Sequence, residues 1–213
     1  MVIVVGSGIH GTHLQISLVR DLGVPQSEIT AIDPWEQALH LWDRRTFNCG
    51  MSYLRSPASH GMDNEFRTLR RSFPEASNYA PPYHRPSRTI FRRHAQQLID
   101  RYVPGINRVQ GTVRSIEPRS PSGYVVRTET GAHTADAVIM AVGSPPPLVP
   151  AATKTEPEIE KRVVHVYDPA FSPTDVADSE EILVVGAGIG GAQVATHLAG
   201  RCHVRLWCDR FPT

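Results

Sequence analysis

Two groups of glycines hold the residues in this chain best spaced for chemistry. Gly6-Ser7-Gly8-Ile9-His10-Gly11 follows directly on the apolar run Val2-Ile3-Val4-Val5. Gly186-Ala187-Gly188-Ile189-Gly190-Gly191 follows Ile182-Leu183-Val184-Val185 in the same way. Each reads as strand, tight turn and helix. Glycines in the turn leave room for a pyrophosphate, and the third glycine lets helix and strand approach closely. The helix start then offers unpaired N–H groups and the positive end of its dipole to the phosphates. Gly6, Gly8, Ile9, His10 and Gly11 are the candidate residues of the first cradle, and Gly186, Gly188 and Gly191 those of the second. Two such motifs on one chain predict two dinucleotide sites, one for a flavin and one for a nicotinamide.

Each motif needs a helix behind it and an acid at the end of the next strand. After the first, Leu14 to Val19 give a buried helical face and Asp21-Leu22-Gly23 a glycine stop. Ile29-Thr30-Ala31-Ile32 then forms a strand ending at Asp33, 22 residues past Gly11, where a carboxylate accepts from an adenosine ribose. After the second, Val194 to Leu198 continue a helix, Gly200 closes it, and Val204-Arg205-Leu206-Trp207 leads to Asp209-Arg210. Asp209 suits an unphosphorylated ribose, whereas Arg205 and Arg210 suit a 2′-phosphate. For a nicotinamide at this site, these residues leave both NADPH and NADH open. Between the motifs, Ala135 to Gly143 reads as a buried strand, preceded by a hairpin over Tyr124–Thr128 and Thr130–His133.

This order of motifs resembles the flavoproteins with two dinucleotide-binding domains, in particular the flavin-containing and N-hydroxylating (lysine/ornithine-type) monooxygenase branch. The resemblance rests on the two glycine motifs, on the strand turn Ala141-Val142-Gly143, and on Arg162-Val163-Val164-His165-Val166-Tyr167, which is similar to the branch's Val-x-His-Ser stretch. It implies that Ala141 and Gly143 lie under an FAD. It also implies that Pro86 to Tyr102 holds the helix before the adenine-side strand. That strand is Gly111 to Ile116, with Val113 offering backbone contacts to adenine. NADPH is the nicotinamide the resemblance favours. It further implies an oxidoreductase of monooxygenase type, with hydride passing from nicotinamide to flavin. Two alternatives remain open: an NAD(P)H:acceptor flavin oxidoreductase without oxygen insertion, and a shortened, non-catalytic nucleotide-binding protein. No catalytic residue is assigned.

Composition fits an ordinary α/β protein: 213 residues, 40% apolar, 20% charged, net charge +1. Such a charge gives no argument for nucleic acid. Three scattered cysteines (Cys49, Cys202, Cys208) form no Cys-x-x-Cys dithiol and suggest a reducing, cytoplasmic setting. The histidines show no metal-ligand spacing. No run reaches membrane-spanning length. The expected partner is a small-molecule substrate, with neither nucleic acid nor membrane, and a homodimer is the candidate assembly. Trp42, Phe47, Met51, Tyr53 and Leu54 are apolar candidates around a flavin ring, with Arg55 and Ser56 as polar contacts.

The expected architecture is a Rossmann-like FAD-binding domain over residues 1–150, a linker over 151–180 and the start of a second Rossmann-like NAD(P)-binding unit over 181–213. Within residues 1–143 the pattern predicts a mostly parallel sheet, helices on both faces and an inserted antiparallel hairpin near 111–130. The unalternating runs at 2–5, 29–32 and 137–142 predict sheet centre. The second unit is short beside the resembled family, so the chain is expected to be a truncated form.

Overall fold

The computed structural model describes residues 1–143, 157–169 and 171–208. The chain divides into two compact units, Met1–Trp42 with Ser52–Ser144, and Asp43–Met51 with Pro145–Thr213.

The first unit carries β1 (Val2–Val5), α1 (Ile9–Arg20), β2 (Ile29–Asp33), the start of α2 (His40–Asn48) and α3 (Thr68–Ser72). A two-residue ladder of β3 (Tyr79–Ala80) and β4 (Arg85–Pro86) follows, then α4 (Arg88–Tyr102) and β5 (Asn107–Gln110). β6 (Val113–Pro118), β7 (Tyr124–Thr128), β8 (Ala132–Ala135) and β9 (Ala137–Met140) complete it. The parallel sheet has the order β5-β2-β1-β9, with Val4 opposite Ala31 on one side and Ile139 on the other.

Successive strand residues face opposite sides, so β1 feeds two cores. Val4 joins Ile29, Ala31, Ile16, Leu18 and Val103 on the face covered by α1 and α4. Ile3 and Val5 join Ile32, Val126 and Ala135 on the other face. That second face is covered by the antiparallel sheet β6-β7-β8. The expectation of helices on both faces is thereby corrected: they lie on one face, and a three-stranded sheet built around the predicted hairpin lies on the other. Unalternating apolar strands reveal burial on two sides but not the kind of element that supplies it.

Two further expectations are corrected. The run at 137–142 is not sheet centre, since β9 is the edge strand and Met140 and Val142 are 64% and 60% exposed. The parallel strand after α4 is Asn107–Gln110 rather than residues 111–116, which belong to the antiparallel sheet as β6. Asn107-Arg108-Val109-Gln110 is short and mostly polar, so it gives little strand signal by itself. α4 itself starts where expected. Ser87 Oγ accepts from the Ile90 amide, and Ile90, Phe91, His94 and Ala95 form its buried face.

The second unit holds α5 (Pro157–Glu160), β10 (Glu181–Val185), α6 (Ile189–Leu198) and β11 (His203–Trp207). β10 and β11 pair in parallel, with Val184 opposite Leu206. Val194, Leu198 and Cys202 pack with Val166, Val176, Ile182, Val184 and Val204. On the other face of this sheet Leu183, Val185 and Trp207 are exposed. Asn48 of α2 is tied to the Val166 carbonyl at 3.0 Å, and Arg44 donates to the Pro169 carbonyl at 2.6 Å.

Candidate dinucleotide cradles

The first cradle lies where β1 ends and α1 begins. Gly6 has φ +102°, open to glycine but strained for other residues, and its amide donates to the Ile32 carbonyl at 2.8 Å. A Cβ on Gly6 would come within 2.4 Å of the Ala141 carbonyl oxygen. A Cβ on Gly11 would come within 1.9 Å of the Gly6 carbonyl oxygen. Both positions need glycine for the close packing of strand, turn and helix. Gly8 differs, because nothing lies within 4 Å of a Cβ placed there. Its bare Cα faces open space at the mouth of the turn. Ile9 and His10 open α1, and His10 is exposed.

Asp33 closes the cradle at the end of β2. One carboxylate oxygen accepts from the Ser7 amide at 2.6 Å, the other from the Trp35 amide at 2.9 Å. Each oxygen keeps a further lone pair for a ribose hydroxyl. Beyond it the Trp35 and His40 rings stack with centroids 4.3 Å apart. The Gly111 amide donates to the Asp33 carbonyl at 3.0 Å. The chain therefore passes beside the acid just before Val113, which opens β6 opposite Thr128. On the other side, the Ala141 amide donates to the Val5 carbonyl at 2.8 Å, and Gly143 has φ +69°. Gly6, Gly11, Asp33 and Ala141 thus converge on one turn, with Gly8 at its opening and Val113 a short way along the chain.

Ser7 is a centre of this turn that its residue type did not announce. It is buried, its carbonyl accepts from Thr12 Oγ1 at 3.0 Å and from the Leu39 amide at 2.8 Å, and Gln15 Nε2 donates to its hydroxyl at 3.3 Å. The one sequence signal was its place between two glycines, which admits only a small side chain.

The second cradle repeats the first. Gly186 has φ +98°, and its amide donates to the Trp207 carbonyl at 2.8 Å. A Cβ on Gly191 would come within 1.9 Å of the Gly186 carbonyl oxygen, while nothing lies within 4 Å of one on Gly188. Arg205 is mid-strand and exposed, 4.0 Å from Glu181. Asp209 and Arg210 lie outside the described residues.

Next to this cradle the Tyr167 ring lies 5.3 Å below the Arg45 guanidinium, with the buried Cys49 thiol near its hydroxyl. Burial pushes both the phenol and the thiol above their usual ranges, so both keep their protons at neutral pH. Burial, and then Arg45, lower the His165 imidazole. Of the apolar candidates around a flavin ring, Leu54 is buried with Met62 and Phe91, and Trp42 packs on Phe91 with centroids 5.2 Å apart. Phe47, Arg55 and Ser56 are exposed.

The family described as pyridine nucleotide-disulphide oxidoreductase matches residues 1–209, and the chain belongs to it. This is a family of FAD- and NAD(P)-binding oxidoreductases. No curated protein sequence matches the chain. Among solved structures it is similar to a closed form of cyclohexanone monooxygenase, with a TM-score of 0.66 and 18% identity over 97% of this chain and 37% of that one. It is also similar to the bacillithiol disulfide reductase Bdr from Bacillus cereus, with a TM-score of 0.62 and 16% identity over 97% of this chain and 57% of that one. A third is OTEMO in complex with FAD and NADP, with a TM-score of 0.61 and 17% identity over 96% of this chain and 38% of that one. The chain thus spans under two-fifths of the cyclohexanone monooxygenase and OTEMO chains. At these identities the likeness concerns the fold. No helix among the described residues is long and apolar enough to cross a membrane.

Proposed function

We propose that this chain binds FAD in the first cradle and NADPH in the second, and serves an NAD(P)H-using oxidoreductase of monooxygenase type. The observation that carries this is the repeated geometry. Both turns put glycine at a positive φ, press the third glycine onto the first, and leave the second facing open space. Family membership and the FAD- and NADP-bound neighbour support the choice of ligands.

The residues divide the work. Gly6 and Gly11 hold the strand, turn and helix together, which aims the first amides of α1 at a pyrophosphate. Asp33 fixes the turn through Ser7 and offers its remaining lone pairs to a ribose. Val113, with Ala141 and Gly143, flanks the adenine and flavin ends of the cleft. Gly186, Gly188 and Gly191 do for α6 what the first set does for α1. When bound, the two cofactors supply hydride transfer from nicotinamide to flavin and oxygen chemistry at the reduced flavin.

The monooxygenase assignment, with an amine or sulfide as substrate class, rests on the order of motifs and on the stretch around His165. A plain NAD(P)H:acceptor oxidoreductase is the second reading, favoured by the likeness to a disulfide reductase. NADPH oxidation by the FAD-loaded protein decides between them. Oxygen uptake stimulated by an amine or sulfide, with an oxygenated product, supports the first. NADPH oxidation that proceeds with a quinone or disulfide acceptor and yields no oxygenated product contradicts it.

A further inference from the structure

The two cradles differ at one helix position. The first has the exposed His10 where the second has Gly190. The space a side chain would take at Gly190 is filled by Tyr167. A Cβ there would lie 2.9 Å from the Tyr167 hydroxyl oxygen and 3.3 Å from its Cζ. The phenol therefore sits over the first turn of α6, beside the glycine facing open space at Gly188. It is held in place from three sides. Arg45 stacks over its ring, the His165 ring lies 5.4 Å away, and the buried Cys49 thiol interacts with its hydroxyl. The Tyr167 amide also donates to His165 Nδ1 at 3.0 Å, which fixes the backbone that presents the ring.

The chemistry of this arrangement calls for an acceptor. The phenol carries one proton to donate. The hydroxyl hydrogen rotates to suit its surroundings. The phenol stands at the start of a helix, whose first backbone N–H groups have no intrahelical partner and are donors themselves. An anionic oxygen at that point satisfies both.

We propose that Tyr167 is a binding residue of the second cradle, its hydroxyl donating to a pyrophosphate oxygen of the nicotinamide dinucleotide at the first turn of α6. This rests on the reading of that cradle given above. Gly190 is then glycine because Tyr167 needs the space.

The test is the dissociation constant of NADPH for the full chain loaded with FAD, followed by nicotinamide fluorescence. Flavin content and far-ultraviolet circular dichroism serve as folding controls. Tyr167→Phe keeps the ring and removes the donor, so binding should weaken roughly tenfold or more with both controls unchanged. Gly190→Ala should weaken it by displacing the same hydroxyl. The double variant should then be no weaker than the stronger single variant, because both changes remove one contact. If the native chain binds NADPH and Tyr167→Phe binds it equally, or the two losses add, the proposal is overturned while the cradle stands. If the native chain binds neither NADPH nor NADH, the reading of the cradle fails and the proposal fails with it.

Discussion

The amide of Ser7 donates to the Asp33 carboxylate at 2.6 Å, across 26 residues of chain. This bond ties the glycine turn to the end of the neighbouring strand, while the other carboxylate oxygen holds the Trp35 amide. Asp33 is thus both a staple of the turn and the candidate ribose acceptor. Asp33→Ala removes two charge-assisted acceptors and should lower stability by about 2–3 kcal/mol. It should also weaken FAD binding by more than the stability loss explains. Denaturant unfolding and FAD titration of the same variant separate the two effects. Unchanged FAD affinity would remove Asp33 from the site.

Gly8 and Gly11 should respond in opposite ways. A methyl at Gly11 collides with backbone, so Gly11→Ala should destabilise the fold by about 3 kcal/mol or more. Nothing meets a side chain at Gly8, so Gly8→Val should keep the native melting temperature within a few degrees and lose FAD. Differential scanning fluorimetry with and without FAD reads both. A Gly8→Val chain that retains FAD with native affinity would falsify the placement of the pyrophosphate.

Acid should loosen the first unit through His94. Its imidazole is buried on α4, and desolvation holds its pKa below the ordinary value, opposed by the Asp63 charge. Arg20 pairs with that Asp63 at 3.0 Å. Above a pH of about 6.5, folded and unfolded chains both carry neutral imidazole, and this group gives no slope. Below it the unfolded chain binds the proton first, so stability falls until the pH reaches the lowered folded value. Melting temperature should drop as the pH falls below about 6.5. His94→Gln should flatten that part of the profile, whatever its offset. An identical slope in the variant would show that other groups carry the acid sensitivity.

The sheet that replaces the expected second layer of helices can be tested at Val126. It is fully buried against Ile3, Val5 and Ile32. Val126→Ala should cost about 2 kcal/mol in denaturant unfolding and leave the candidate FAD-binding residues in place. A loss under about 0.5 kcal/mol would mean that this face of the parallel sheet is not sealed by β7.

Local chemistry was readable where it dictates geometry. The glycine spacing located both turns, and the Ile29-Thr30-Ala31-Ile32 run located the strand ending at Asp33, because these are short-range constraints. What covers a strand is a long-range matter. Ile3 and Val5 announce a buried second face but not that Val126 and Ala135 fill it. The polar Asn107–Gln110 is a strand because α4 delivers it to β2, not because of its own residues. The apolar run at 137–142 reads as a central strand, but the order of strands puts it at the edge. Ser7 and Tyr167 matter through partners 26 and 23 residues distant, Asp33 and Gly190, and no spacing rule links them.

The most direct test is the visible absorption spectrum of the purified chain after incubation with FAD and removal of free cofactor, recorded anaerobically before and after NADPH. The account predicts a retained flavin spectrum that NADPH bleaches. A chain that leaves the column colourless after saturation with FAD would contradict it.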